Sequence, residues 1–137
     1  MESKIREVLI DTSIIIDHLK SKEKDITILY KLNLNFNLGI SIITSFELYC
    51  GAIDNSRKMN DLKLIFGNFK IFELNDNISR KSAEIYIKLK SKGISVDTND
   101  IFIAATALDN NYYLSTLNTK HFKDIDNLHL INNKEIF

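Results

Sequence analysis

The chain has 137 residues, 45% hydrophobic and 26% charged, and its 18 basic and 18 acidic side chains cancel to a formal net charge of zero. This describes one globular domain, residues 1–137, with a core of its own that needs no staples, and argues against an intrinsically disordered, collagen-like or linker-like chain. It also excludes a generic basic coat for nucleic acid, although acids gathered at a metal site would offset a basic rim. The lone cysteine, Cys50, forms neither an internal disulfide nor a zinc cluster; it reads as a small buried apolar group. No run approaches the ~18 apolar residues of a membrane span, and Met1-Glu2-Ser3-Lys4 opens no signal-peptide stretch. The expected setting is therefore the reduced cytoplasm, with no membrane contact.

Val8-Leu9-Ile10, closed by Asp11, predicts a strand buried on both faces. Short helices are expected over 14–20 and about 24–33, then a second strand over 38–43. Thr44-Ser45-Phe46-Glu47 matches a capping box, so a helix should start there and run toward Asp54. A helix over 57–66 and a strand over 70–74 follow. The next helix carries Ile78, Ser82, Ile85 and Leu89 and ends at Gly93. Asp97 or Thr98 caps a helix with Ile101, Ala104, Ala105 and Leu108 on its core face. Strands over 112–115 and 128–131 complete an α/β pattern of about five strands. Alternating strands and helices imply a mostly parallel sheet with helices on both faces. Ligands in such sheets bind beyond the carboxyl ends of the strands, where strand order reverses.

Several side chains with chemistry fall at that edge. Asp11 ends the first strand, Glu47 follows the second, Asp100 lies in the first turn of a helix and Asn118 lies just past the fourth strand. Thr12, Ser13 and Thr116 accompany them. Three carboxylates about 5 Å apart repel by on the order of 3 kcal/mol per pair at an effective dielectric near 20. Protons or a divalent cation must offset that, and helix N-termini beside Glu47 and Asp100 favour the ionised forms. Oxygen ligands without a partnering histidine or cysteine select Mg2+ or Mn2+ over zinc. Such an ion acidifies water and neutralises phosphate oxygens, which suits phosphodiester hydrolysis. Asp100 or Asp11 is the candidate general base.

Four segments together carry a resemblance: Leu9-Ile10-Asp11-Thr12-Ser13 with Asp17, Ser45 to Ala52, Asn99 to Leu108, and Thr116 to Phe122. In this order, spanning nearly the whole chain, they resemble PIN-domain ribonucleases, specifically VapC-type toxins of toxin–antitoxin pairs. The resemblance implies a three-layer α/β/α sandwich, metal-dependent endoribonuclease activity on tRNA or rRNA, a homodimer and a small inhibitory antitoxin. It assigns Asp11, Glu47 and Asp100 as catalytic and metal-binding acids. The family's fourth acidic position falls near Asn118, an amide here, and His121 stands where an acid is common. Asp97, one turn before Asp100, is the candidate to supply the missing charge. Lys120 and His121, with Thr12, Ser13, Thr116 and Asn118, are the candidate substrate contacts.

The Asn118 departure motivates an alternative, a non-catalytic PIN-like module working through a partner protein or operator DNA. A phosphotransfer receiver fits poorly, because Glu73-Leu74-Asn75 supplies no phosphorylatable aspartate after the third strand. A haloacid-type phosphatase needs an aspartate where Ser13 stands.

Overall fold

The computed structural model describes residues 6–135; Met1-Glu2-Ser3-Lys4 lies outside them. Four strands, β1 (Glu7–Ile10), β2 (Asn37–Ser41), β3 (Lys70–Phe72) and β4 (Tyr113–Ser115), form one sheet in the order β3-β2-β1-β4. Every pairing is parallel: Leu9 lies opposite Gly39 on one side and Leu114 on the other. The helices are α1 (Thr12–Lys20), α2 (Ile28–Asn35), α3 (Ile42–Cys50), α4 (Ser56–Phe66), α5 (Asp76–Ser91), α6 (Thr98–Asp109) and α7 (Thr119–Phe122).

The alternation of β1 divides the core. Val8 and Ile10 point into a cluster with Ile14 and Ile15 of α1, Leu32 of α2, and Leu62 and Phe66 of α4. Leu9 points the other way, to Leu114, Leu89 of α5, Ile101, Ile103 and Ala104 of α6, and Phe122 of α7. Successive side chains of a strand face opposite sides, so one apolar tripeptide anchors both helical layers. Each fully buried aliphatic side chain contributes about 1.5–3 kcal/mol. Ala104, Ala105 and Ala107 are fully buried, and their small size lets α6 approach the sheet. Gly39 is required for a similar reason: a Cβ there would stand 2.8 Å from the Phe72 ring, which packs edge-on against Tyr112 with centroids 5.1 Å apart.

The sandwich and parallel sheet agree with expectation, but the sheet has four strands rather than about five. The 128–131 segment makes a single bridge, Leu114 to Leu130. Left-handed Asn127 (φ 65°) and the polar pair Asn132-Asn133 bound a stretch too short to extend the ladder. The Thr44–Glu47 capping box does not form either. Ser41, the last residue of β2, caps α3 by accepting from Ile43 N (3.0 Å), so the cap lies three residues earlier than Thr44. Glu47 therefore lies beyond the first turn, and only Asp100 keeps the helix-terminus advantage. The expected helix over 24–33 divides into a 3₁₀ turn (Lys24–Ile26) and α2, with Thr27 capping α2. Cys50 is exposed, not buried, because it ends α3 on the face turned from the sheet.

Candidate functional site

The chain lays down β1, β2 and β3 outward on one side, then returns across the sheet to place β4 on the other side of β1. The order reverses between β1 and β4, and their carboxyl ends deliver Asp11 and Thr116 to that switch point. Asp11 N donates to Ser115 O (2.9 Å), locking the two strand ends together.

Asp11 is only 3% exposed. It occupies the N-cap position of α1, yet its side chain accepts no capping bond from that helix. Two hydroxyls hold it instead: Ser13 Oγ (2.9 Å) and Thr116 Oγ1 (2.7 Å) both donate to Oδ2. Each hydroxyl in turn accepts a backbone amide from the loop after β4, Leu117 N on Ser13 Oγ (3.0 Å) and Asn118 N on Thr116 Oγ1 (2.9 Å). Two relays thus carry the positive ends of peptide dipoles to one carboxylate oxygen. No protein donor reaches Oδ1 among the described residues.

Asp100 reaches the same edge from the first turn of α6. Burial raises its pKa above the ordinary carboxylate range, and the charge of neighbouring Asp11 raises it further. His121 on α7, its Nδ1 3.0 Å from Asp100 Oδ2, acts against both, and Asp97 adds a last upward contribution. Asp97 itself is exposed and caps α6, accepting from Asn99 N (3.3 Å). Glu47 is held separately. Its Oε1 accepts from Thr12 Oγ1 (2.7 Å), which also lies 3.2 Å from Thr44 Oγ1.

Asp11 and Asp100 are therefore electrostatic neighbours, while Glu47 joins them through Thr12. The three-acid cage is not closed: among the described residues no three His, Cys, Asp or Glu side chains are grouped so as to hold one metal ion. The donor chemistry still fits a hard divalent cation. Mg2+ takes only one or two carboxylates from a protein and completes its shell with water and phosphate oxygens. Two neighbouring carboxylates, one with an oxygen unclaimed by protein donors, meet that requirement.

Thr12, Ser13 and Thr116 spend their protons on carboxylates, so they hold acids rather than stand open to a substrate. Asn118, Lys120 and His121 are exposed at the rim. His18 and His129 lie elsewhere, on Thr27 Oγ1 (2.6 Å) and against the Tyr113 ring. Sequence reasoning missed Thr44 as a buried partner of Thr12, because the capping-box reading gave its hydroxyl to the backbone. It also missed Asn133, whose side chain grips the end of β4 (Ser115 Oγ to Oδ1, 2.6 Å; Nδ2 to Thr116 O, 3.0 Å). No local pattern distinguishes that residue from the other asparagines around it.

A parallel α/β sandwich with acids at its switch point is a nuclease-like arrangement, and comparison with known proteins agrees. Residues 8–128 match the PIN domain. Ribonuclease VapC1 of Methanocaldococcus jannaschii is 32% identical over 123 residues, covering 90% of this chain and 84% of that protein. Ribonuclease VapC2 of Rickettsia felis is 29% identical over 131 residues, covering 90% and 96%. Among solved structures, VapBC2 from Rickettsia felis bound to a promoter DNA fragment superposes with a TM-score of 0.82 at 26% identity, covering 92% of this chain and 98% of that one. VapBC-1 from nontypeable Haemophilus influenzae gives 0.82 at 27% identity, covering 94% and 99%. The chain belongs to the PIN-domain family, among the VapC-type ribonuclease toxins.

Proposed function

We propose that this protein is a Mg2+- or Mn2+-dependent endoribonuclease, the toxin of a toxin–antitoxin pair, that cuts tRNA or rRNA. The observation that carries the reading is the pairing of Asp11 and Asp100. A buried, hydroxyl-latched carboxylate and a second one from α6 meet at the switch point, where burial and then the charge of Asp11 both disfavour ionisation of Asp100, and the ion-pair partner of Asp100 among the described residues is a histidine, His121. A divalent ion there would offset their repulsion, acidify water and neutralise the scissile phosphate.

The chain's own residues divide the remaining work. Asp11, fixed through Oδ2, keeps one oxygen for the ion. Asp100, held by one histidine rather than latched by two hydroxyls, is the freer of the two to accept a proton from the attacking water. Glu47, oriented by Thr12, would supply a third negative charge on the side of the cation, with Asp97 more distant. Lys120 and His121 on α7 meet the RNA backbone.

Glu47 also borders a cleft of about 600 Å³ between α1, α3 and α4, whose lining includes Leu19, Leu48 and Leu62 with Lys20, Arg57 and Lys58. An apolar floor with a basic rim suits a cognate antitoxin segment lying beside the acids. Ile42, Phe46 and Tyr49 line an exposed face of α3, continued by Ile53, which suits a homodimer contact. Among the described residues, no helix is long and apolar enough to cross a membrane. The test is RNA cleavage by purified protein. Activity should require Mg2+ or Mn2+ and stop with EDTA or Asp100→Asn; cleavage that survives both removes this mechanism.

A further inference from the structure

We infer that Asn133, more than a hundred residues from Asp11 in sequence, is a positioning residue for the catalytic edge and acts through Thr116. β4 has β1 on one side, and on the other, among the described residues, only the short stretch that bridges at Leu130. That stretch begins a parallel ladder: Leu114 N donates to His129 O, and Ile131 N donates to Leu114 O, both at 2.9 Å. The next rung would be a donor from residue 133 to Thr116 O. The Asn133 side chain supplies it, with Nδ2 donating to Thr116 O at 3.0 Å. Its Oδ1 accepts from Ser115 Oγ at 2.6 Å, and Ser115 is fully buried. A single amide thus grips two consecutive residues of β4 in the geometry of a missing strand.

The consequence lies at Thr116, where two bonds meet at right angles in function. The Thr116 carbonyl is tied outward to Asn133, and its hydroxyl is directed inward to Asp11 Oδ2 at 2.7 Å. The residues that follow, Leu117 and Asn118, deliver the amides that complete both hydroxyl relays. An unanchored strand end would let Thr116 pivot and weaken both relays together. Loss of a partner that orients a metal-binding group commonly lowers activity or affinity by about 10–100-fold.

The inference rests on reading this edge as the ribonuclease centre, so the experiment uses one readout that needs no RNA. In the full-length protein, Asn133→Ala should speed amide hydrogen exchange at Asp11, Leu117 and Asn118 by about tenfold or more while exchange within α6 stays unchanged. On RNA it should lower kcat by about tenfold and leave KM unchanged. Added to Thr116→Val, it should cost clearly less than the roughly tenfold in kcat that it costs alone, because only the Ser13 relay remains to be disturbed. Asn133→Asp, which keeps the acceptor for Ser115 and loses the donor, should reproduce the exchange effect if the alanine variant unfolds. Unchanged exchange at Leu117 and Asn118, or a full multiplicative loss in the double variant, overturns the inference. Wild-type protein that leaves RNA intact overturns the ribonuclease reading instead, and the exchange comparison still decides the role of Asn133.

Discussion

Asp11 and Asp100 share one edge of one sheet and are held in opposite ways. Asp11 is buried at a strand end, and both hydroxyls that reach it donate to its Oδ2. Asp100 is on a helix, half-buried, with one histidine partner, and the field of Asp11 works against its ionisation. The difference teaches that the fold has paid the desolvation of one carboxylate with fixed dipoles and left the second under-compensated. The under-compensated acid is where an external cation gains most.

The largest expected effect separates function from stability at Asp100. Asp100→Asn should lower RNA cleavage on the order of a thousandfold, the scale lost when one member of a catalytic unit is removed. The same variant should melt higher than wild type in EDTA at neutral pH. A carboxyl whose folded pKa is raised gives its full stabilising contribution below the unfolded value and loses it as pH rises through the folded value. The metal-free wild type should therefore lose stability on that rise, and the pH profile of Asp100→Asn should be flatter. Equal slopes for the two proteins in thermal melts would dissolve the contrast.

Asp11 should behave in the opposite sense. Asp11→Ala strands two hydroxyl donors, the buried Thr116 and the partly buried Ser13, and should destabilise the fold by about 2–3 kcal/mol in urea titration. Mn2+ sharpens the contrast from outside. At a hundred times its Kd it should stabilise wild type by about 2.7 kcal/mol, and Asp100→Asn should lose most of that gain. Thr116→Val removes one relay and should cost about 1.5 kcal/mol while raising the metal concentration needed for half-maximal activity. The smallest effect belongs to the exposed His121: His121→Ala should change stability by less than about 1 kcal/mol, seen in the same melts.

The three acids stand out in the sequence because each borders an apolar pattern: Asp11 ends Val8-Leu9-Ile10, Asp100 opens the Ile101–Leu108 face, and Glu47 follows a buried strand. Ser41 was hidden as a cap because it belongs to β2 and to α3 at once, and strand and cap patterns overlap on one residue. The short α7 was hidden because four residues give no periodicity to read. Cys50 was misjudged because burial of a lone small residue depends on which face of its helix meets the sheet.

Local chemistry alone determined the layers. A tripeptide with apolar side chains on both faces must be covered twice, and β–α alternation admits few other arrangements. Tertiary structure decided which oxygens meet. The bonds of Thr116 to Asp11, Thr12 to Glu47 and Asn133 to Thr116 join residues 105, 35 and 17 positions apart or within one another's reach only after folding. A hydroxyl or amide carries no mark of its partner, since directional bonds of 2.7–3.0 Å are chosen by strand register and loop path rather than by residue type.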